Sequence, residues 1–226
     1  MVDVVIPALD ESRSLPLVLD DLPRGSVRNV VVVDNGSTDG TGDVARGRGC
    51  VVVEEPRRGY GSACLAGLAY LASLPRHPDV VVFLDADRSD HAEELPRLLE
   101  PIAAGRAELV VGSRALGTRE PGALLPQQRF GNLLAAFLIR RLYGTTVTDL
   151  GPFRAVTWGA LARLGMEDRG YGWTAEMQVK ALRAGVRYEE VPVSYRRRVG
   201  RSKIAGTVRG TIGAGWKILA TIFRYV

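Results

Sequence analysis

The most conspicuous chemical feature of the sequence is a pair of carboxylates at the end of an apolar run. Val80-Val81-Val82-Phe83-Leu84 leads without a polar residue into Asp85-Ala86-Asp87. An apolar run that short is typical of a strand buried on both faces. Two carboxylates at this spacing repel each other, and a divalent cation with oxygen ligands relieves the repulsion. The pair therefore predicts a metal site, and the alternative is a turn that caps a helix.

Three further acids follow the first two apolar runs of the chain. Asp10 and Glu11 come after Val2 to Ile6, and Asp34 comes directly after Val30 to Val33. The carboxyl ends of parallel strands meet at one edge of a sheet, where open α/β folds bind their ligands. Each acid alone could be a cap or a solvated turn residue. Together with Asp85 and Asp87 they predict one acidic cleft.

The elements that position these acids alternate along the first half of the chain. Such alternation predicts a mostly parallel sheet with helices on both faces, an α/β fold. The predicted strands are 2–6, 29–33, 50–53, 80–84 and 108–111. The predicted helices are 15–22, 41–46, 62–74 and 93–104.

The pattern changes after Arg114. Gly, Pro and charged residues in 117–128 predict a mobile surface loop. The expected elements beyond it are helices at 131–143, 157–164, 174–184 and 205–225, an edge strand at 145–149, and a strand at 186–195 that Pro192 interrupts. No repeat or linker divides the chain, so a single domain over 1–226 is expected. Its predicted parts are a first half (1–114), a second half (115–203) and a terminal helix (204–226).

The terminal helix is predicted to be amphipathic. Its apolar stripe is Val208, Ile212, Trp216, Leu219, Ile222 and Phe223. Such a helix can dock on the protein core, or it can lie in a membrane interface with its aromatic residues among the lipids. No run reaches the roughly 18 apolar residues of a spanning helix. The first residues show no basic region of a signal peptide.

Composition narrows the class of protein. The 226 residues are 46% hydrophobic and 24% charged, with a net charge of +5 and a pI near 9.5. A basic chain binds nucleic acid, anionic membrane or phosphorylated substrates. Two cysteines, Cys50 and Cys64, are too few for a disulfide framework or a zinc site, so a reducing compartment is expected. Recognisable nucleic-acid-binding motifs are absent, and so are the P-loop and dinucleotide fingerprints. A nucleotide would instead be held by a metal that bridges its diphosphate to Asp87.

Eight short motifs, taken in order, resemble the inverting family 2 glycosyltransferases. Within that family they look most like the dolichyl-phosphate mannose synthase and polyprenyl-phosphate glycosyltransferase branch. The motifs are Val5 to Glu11, Val33 to Thr41, Asp85-Ala86-Asp87, Gly112-Ser113-Arg114, Gly151 to Arg154, Glu176-Met177, Val191-Pro192-Val193 and Arg197 to Lys203. The resemblance spans nearly the whole chain.

The resemblance implies a GT-A fold, a nucleotide-sugar donor and Mg²⁺ or Mn²⁺. It also implies that residues 1–114 are the half that binds the nucleotide sugar and residues 115–203 the half that binds the acceptor. The residues implied for the nucleotide are Pro7, Ala8, Asp10, Glu11, Asp34, Gly36, Asp85 and Ala86. Those implied for the metal are Asp85, Asp87 and Ser89, where Ser89 stands at a position that is often glutamine in the family. Those implied for catalysis are Asp87, Arg114 and Glu176, and those for an acceptor phosphate are Arg114, Arg129, Arg197, Ser202 and Lys203. The roles of Arg88 and Asp149 stay open.

Charge then separates two kinds of acceptor. A saccharide hydroxyl needs a carboxylate base, for which Glu176 is the candidate, whereas a lipid phosphate is already anionic and needs cations to hold it. The first hypothesis is transfer of mannose or glucose from a GDP- or UDP-sugar to a polyprenyl phosphate. The second is a soluble or saccharide acceptor, and the third is a sugar nucleotidyltransferase, whose glycine-rich signature is absent. The expected setting is cytoplasmic, peripheral at the inner face of the cell membrane. A homo-oligomer or a membrane-spanning partner is left open.

Overall fold

A seven-stranded sheet forms the centre of the molecule. The computed structural model describes residues 1–200 and 208–225. The strands are β1 (Val2–Ala8), β2 (Asn29–Asp34), β3 (Val51–Glu54), β4 (Val80–Phe83), β5 (Leu109–Ser113), β6 (Arg154–Thr157) and β7 (Tyr188–Pro192). The helices are α1 (Leu15–Asp21), α2 (Thr41–Gly47), α3 (Tyr60–Ser73), α4 (Leu95–Ala103), α5 (Pro126–Tyr143), α6 (Trp158–Leu164), α7 (Trp173–Arg183) and α8 (Val208–Arg224). Short 3₁₀ turns lie at Arg24–Ser26 and Ala92–Glu94.

The strand order β3-β2-β1-β4-β6-β5-β7 places β1 between β2 and β4. Val5 is in register with Val31 on one side and Phe83 on the other, and all three strands are parallel. Their carboxyl ends therefore reach the same edge of the sheet. This is the edge at which the acids that end or follow these strands were predicted to gather.

Alternate side chains of the strands supply two separate cores. Val4, Ile6, Val32 and Val82 belong to a cluster with α1, α2 and α4 on one face. Val5, Val33, Val81 and Phe83 belong to a cluster with α3, α6 and α7 on the other. A strand buried on both faces must be apolar at every position, which is why the uninterrupted valine runs formed the central strands.

One strand was missed and one was wrongly predicted. β6 is antiparallel between β4 and β5, with Arg154 paired to Phe83 and to Val111. The predicted edge strand at 145–149 is wrong, because that segment is irregular. There, polar side chains take the place of a strand partner: the backbone N–H of Thr148 donates to Glu190, and the Asp149 carboxylate accepts from Arg114.

The helices α5, α7 and α8 share a third, smaller core. Ile139, Val179 and Ile222 are fully buried in it. The Tyr143 hydroxyl donates to the backbone oxygen of Ile222, and Lys217 pairs with Asp168 at 2.9 Å. The terminal helix is thus docked on the protein through one face. In residues 1–200 and 208–225, none of the helices has the length and apolar character needed to cross a bilayer.

Candidate active site

The D-x-D pair lies in the loop that leaves β4. The backbone N–H of Leu84 still donates to Val5, so the chain stays against β1 until the two aspartates begin. Asp87 is 7% exposed, and its Oδ1 accepts the N–H of Ser89 at 2.8 Å. This short turn holds Asp87 so that its second carboxylate oxygen faces the cleft.

A cavity of about 210 Å³ opens beside the pair. Six of the predicted nucleotide and metal residues line it: Pro7, Ala8, Glu11, Asp85, Ala86 and Asp87. The structure therefore brings acids from the ends of β1 and β4 into one cleft. Asn35, Arg58, Tyr60 and Arg198 line the same cavity and were not predicted.

Asp85 carries the clearest electrostatic signal in the cleft. Burial, together with the negative charge of Asp87, raises its pKa to about 7. Its Oδ1 is buried without a hydrogen-bond partner. Among the residues described, no three His, Cys, Asp or Glu side chains are grouped closely enough to form a finished metal centre. An unsatisfied carboxylate oxygen beside a second carboxylate nevertheless fits an oxygen-coordinated divalent cation.

The Arg198 guanidinium lies against the oxygen of Asp87 that faces the cleft. Its Nη1 lies 3.1 Å from Asp87 Oδ2, and its Nη2 lies 2.9 Å from Glu11 Oε1. The backbone holds it there, because the N–H of Val199 donates to the oxygen of Asp87. Arg198 thus neutralises two acids that come from different strands.

The three consecutive arginines 196–198 point to three different places. Arg196 donates to the backbone oxygen of Arg88 and to the Asp21 carboxylate. Arg197, the residue predicted to bind the acceptor phosphate, donates to the backbone oxygen of Pro121 at 2.6 Å. Only Arg198 enters the cleft. Arg88 itself has a φ of 65° and pairs with Asp21, the same carboxylate that binds Arg196. Its side chain is therefore engaged at Asp21 and not in the cleft.

The acids of the first two strand ends mostly organise loops. Asp10 accepts the N–H of Thr38, and Asp34 accepts the N–H of Ser37 at 2.8 Å. Gly36, with a φ of +82°, makes the turn between them and accepts a hydrogen bond from Arg58. None of these three predicted nucleotide residues lines the cavity. Asn35 does, and its amide bridges to the loop before α3 through Glu55, Arg57 and Gly59.

A second cavity of about 310 Å³ continues from the same two aspartates. Arg114 lies in it, bound to Asp149 by both side-chain and backbone N–H groups at 2.6–2.8 Å. Burial alone would lower the pKa of this guanidinium, but the Asp149 carboxylate raises it well above the ordinary value. Arg114 also lies over the ring of Tyr195 at 5.1 Å. The result is a fixed, permanently charged cation that faces Asp85 and Asp87, and a role for Asp149 in holding it.

The other predicted site residues lie elsewhere. Arg129 is exposed and lines a neighbouring cavity of about 290 Å³ together with Arg119 and Asp149. Ser89 is buried, with its hydroxyl unpartnered, but it lines neither of the cavities that hold the D-x-D pair. Ser202 and Lys203 fall outside the described residues.

Glu176 is engaged in docking the terminal helix. It accepts the N–H groups of Glu167 and Asp168 and the hydroxyl of Tyr225, and it pairs with Lys180 at 2.7 Å. It lies with Lys217 and Tyr225 in a small cavity at α8. Its assignment as a catalytic base therefore has no support from its position.

Comparison with known proteins identifies the family to which this fold belongs. The family model described as "Glycosyl transferase family 2" matches residues 3–163. The undecaprenyl-phosphate mannosyltransferase of Micrococcus luteus is 37% identical over 223 residues, which is 91% of this chain and 88% of the relative. The polyprenol monophosphomannose synthase of Mycolicibacterium smegmatis is 32% identical over 221 residues, 90% of this chain and 81% of the relative.

A solved structure extends the comparison to the fold. Glucosyl-3-phosphoglycerate synthase from Mycobacterium tuberculosis, in complex with Mn²⁺, UDP-glucose and phosphoglyceric acid, superposes with a TM-score of 0.79 at 25% identity. The match covers 100% of this chain and 79% of that one. The expected GT-A fold is confirmed. The chain belongs to glycosyltransferase family 2 and is a glycosyltransferase.

Proposed function

We propose that this enzyme transfers a hexose from a nucleoside-diphosphate sugar to a polyprenyl phosphate. The observation that carries the proposal is the composition of the 310 Å³ cavity. Asp85 and Asp87 are its only acids, and Arg114 and Arg198 are its cations, among the described residues. A hydroxyl acceptor would need a free carboxylate base here, whereas a phosphate acceptor needs a fixed cation.

The donor belongs in the smaller cavity on this proposal. Pro7, Ala8, Glu11 and Asn35 form its nucleoside end, and Asp85 with Asp87 forms its diphosphate end. Both aspartates would hold Mg²⁺ or Mn²⁺, which when bound supplies positive charge that stabilises the diphosphate leaving group. The N-terminus of α3 is not a second phosphate site. The N–H groups of Gly61 and Ser62 already donate to Gly170 and Arg169.

The acceptor belongs in the larger cavity, against Arg114. A phosphate oxygen of the acceptor attacks the anomeric carbon and forms the new C–O bond while the bond to the diphosphate breaks. In-line displacement of this kind inverts the anomeric centre. The protein's main tasks are to fix the acceptor phosphate and to keep it aligned, and the buried Arg114–Asp149 pair is rigid enough for both.

The walls of this cavity suit a prenyl chain. Leu124, Ala135, Leu150, Pro152 and Ile218 give it apolar surface that leads away from Arg114. Three small residues, Gly131, Ala214 and Gly215, line the cavity where α5 and α8 face each other. Apolar lining with a few convergent polar groups is the usual composition of a site for an amphiphilic small molecule.

The two named relatives favour mannose as the hexose and a polyprenol as the acceptor. The solved neighbour favours a different candidate, a small soluble acceptor with a phosphate group, such as phosphoglyceric acid. Arg114 could hold either phosphate. The two candidates differ in whether the apolar walls are used.

Transfer assays with paired donors and acceptors test the proposal. GDP-mannose and UDP-glucose are each combined with undecaprenyl phosphate, with 3-phosphoglycerate, or with no acceptor, in the presence of Mn²⁺. We expect transfer to undecaprenyl phosphate from one donor, and a loss of at least about 100-fold in Arg114→Gln, because a buried charge that contacts the reacting group is removed. The matched control is Arg97→Gln, which changes an exposed arginine on α4. Transfer to 3-phosphoglycerate alone would contradict the polyprenyl proposal and support the second candidate.

A further inference from the structure

The outward face of α5 carries an apolar stripe that is exposed and does not pack in the protein core. Phe130, Leu133 and Phe137 lie on it at i, i+3 and i+7, with exposed fractions of 68%, 64% and 53%. This spacing puts the three side chains on one side of the helix. Exposure of three large apolar side chains in a row costs free energy in water, so such a patch marks a surface that binds something.

The same helix buries its opposite face. Ala135, Ala136 and Ile139 pack into the core shared with α7 and α8. The stripe therefore does not result from a helix that is loosely attached or wrongly rotated. α5 is held by one apolar face and presents a second one to the outside.

Unpaired arginines flank the stripe. Arg129, Arg140 and Arg141 are exposed, and in the described part of the chain none of them forms an ion pair with a carboxylate. Other arginines of the described residues are paired with carboxylates, such as Arg28 with Asp3 and Arg106 with Glu100. Neither α5 nor α8 contains an Asp or Glu. A helix with an apolar face and cations but no acids matches the headgroup region of an anionic bilayer.

The whole chain is polarised in the same sense. Residues 116–226 contain 18 Lys and Arg against 7 Asp and Glu, whereas residues 1–115 contain 12 against 18. Every large hydrophobic side chain that is exposed among the described residues lies between Leu116 and Phe223. Positive charge and exposed apolar side chains thus coincide in the second part of the chain, residues 116–226.

We infer that the Phe130-Leu133-Phe137 face of α5, with Arg129, Arg140 and Arg141, docks on an anionic lipid bilayer. Phe130, Leu133 and Arg129 also line the 290 Å³ cavity that contains Asp149, the partner of Arg114. Docking through this face brings the acceptor cavity to the lipid surface. The inference rests on the proposed function for the reason why the enzyme would dock on a membrane. The apolar and basic character of the face does not depend on that function. A second copy of this chain is the competing occupant of the stripe.

Vesicle flotation of the full chain tests the surface without donor, metal or acceptor. Vesicles contain phosphatidylcholine with or without about 30% phosphatidylglycerol, and no polyprenyl phosphate. The wild type is expected to float with the anionic vesicles only, and less when salt rises from about 0.1 M to about 0.5 M. Phe130→Ser/Leu133→Ser/Phe137→Ser and Arg140→Gln/Arg141→Gln are each expected to lower the bound fraction at least about fivefold. Arg13→Gln/Arg76→Gln, which removes two exposed arginines from the other half, is the matched control and should bind as the wild type does.

Three results would overturn the inference. The first is a wild type that does not float. The second is an unchanged bound fraction in the triple variant together with a loss in Trp216→Ser/Phe223→Ser, which would move the contact to α8. The third is a wild-type dimer that the triple variant converts to a monomer, measured by light scattering. Unfolding is checked by circular dichroism, and Phe137→Ser alone serves if the triple variant is unstable.

Activity distinguishes this inference from the proposed function. The triple variant should keep its turnover of a short prenyl phosphate dissolved in water and lose turnover of undecaprenyl phosphate in vesicles. Absence of turnover in both assays for the wild type would count against the proposed function only. Equal turnover of the vesicle acceptor by wild type and triple variant would count against the docking face only.

Discussion

Arg198 makes the contacts with Asp87 and Glu11 that a bound cation makes with oxygen ligands. It bridges acids that arrive from β4 and β1, and its guanidinium lies 3.1 Å from the carboxylate oxygen that faces the cleft. A divalent cation held by Asp87 would therefore compete with this guanidinium for the same oxygen. Repulsion between two cations a few ångströms apart is worth about 1 to 4 kcal/mol, and the smaller value applies where solvent has access.

The change Arg198→Ala is expected to strengthen the binding of Mn²⁺ alone by about tenfold, because the competing cation is gone. The measurement is an electron paramagnetic resonance titration of free Mn²⁺ without nucleotide. Arg197→Ala, whose side chain contacts Pro121 instead, is the matched control and should leave the affinity unchanged. Equal affinity in wild type and Arg198→Ala would show that Asp87 is not a metal ligand or that Arg198 does not compete.

Asp85 gives the cleft a dependence on pH. Its pKa is raised from 3.8 to about 7 by burial and by Asp87, so the folded protein keeps a proton that the unfolded chain has lost between these values. The sign follows from linkage: this group lowers the stability of the metal-free protein as pH rises through that window. A cation must displace the same proton. Mn²⁺ affinity is therefore expected to rise about tenfold per pH unit below pH 7 and to level off above it.

The measurement is the same Mn²⁺ titration repeated between about pH 5.5 and 8.5. Asp85→Asn should bind more weakly and lose the pH dependence in this range. A wild-type affinity that is flat across the range would place the metal away from Asp85.

At the residue scale, the acids of the cleft could be predicted from the sequence, but the arginine that pairs with them could not. Strand-end position was enough to predict that Glu11, Asp85 and Asp87 would meet, because parallel register is fixed by the apolar runs. Arg198 comes from a segment more than a hundred residues away in the chain. Nothing local distinguishes it from Arg196 and Arg197, and only the tertiary fold separates the three directions in which they point.

In the terminal helix, a single apolar stripe is divided between a buried face and an exposed face. Ile222 is fully buried against α5 and α7, while its neighbour Phe223 is 56% exposed. The sequence placed both in one apolar stripe. Helical spacing identifies apolar faces, but it does not predict which of two adjacent faces packs against the protein core.

Ile222→Ala is expected to lower the free energy of unfolding by about 3 kcal/mol, since a buried aliphatic side chain is replaced by a cavity. Phe223→Ala, at the adjacent exposed position, should change it by less than about 0.5 kcal/mol. Urea unfolding followed by circular dichroism measures both. Equal effects of the two changes would mean that α8 is not docked through Ile222 in solution.

The element that sequence reasoning missed, β6, is also the one that joins the two halves of the sheet. It carries Arg154, which is fully buried and donates to Gly151 and Thr174. A buried arginine inside a four-residue strand breaks the apolar pattern by which the other strands were found. The strand exists because β4 and β5 both pair with it.

At the scale of the molecule, β6 joins residues 1–114, the proposed donor half, and residues 115–203, the proposed acceptor half, in one sheet. The order β1-β4-β6-β5 runs across the boundary near residue 115 without a break in hydrogen bonding. The α3 helix of the first half also meets the loop before α7, where the backbone N–H of Ser62 donates to Arg169. The expected single domain over 1–226 is a prediction that this continuity supports.

A shared sheet predicts that the two halves unfold together. All three tryptophans, Trp158, Trp173 and Trp216, lie after residue 115, so their fluorescence reports on the part of the chain that follows the donor half. The donor half contains both cysteines, of which Cys64 is fully buried in α3 and Cys50 is partly exposed. In a Cys50→Ser variant, the reactivity of Cys64 towards a thiol reagent therefore reports unfolding of the donor half. The two probes are expected to give the same urea midpoint, because separating the halves would break the pairs between β4 and β6. Two distinct midpoints would show that the donor half is a domain that folds without the acceptor half.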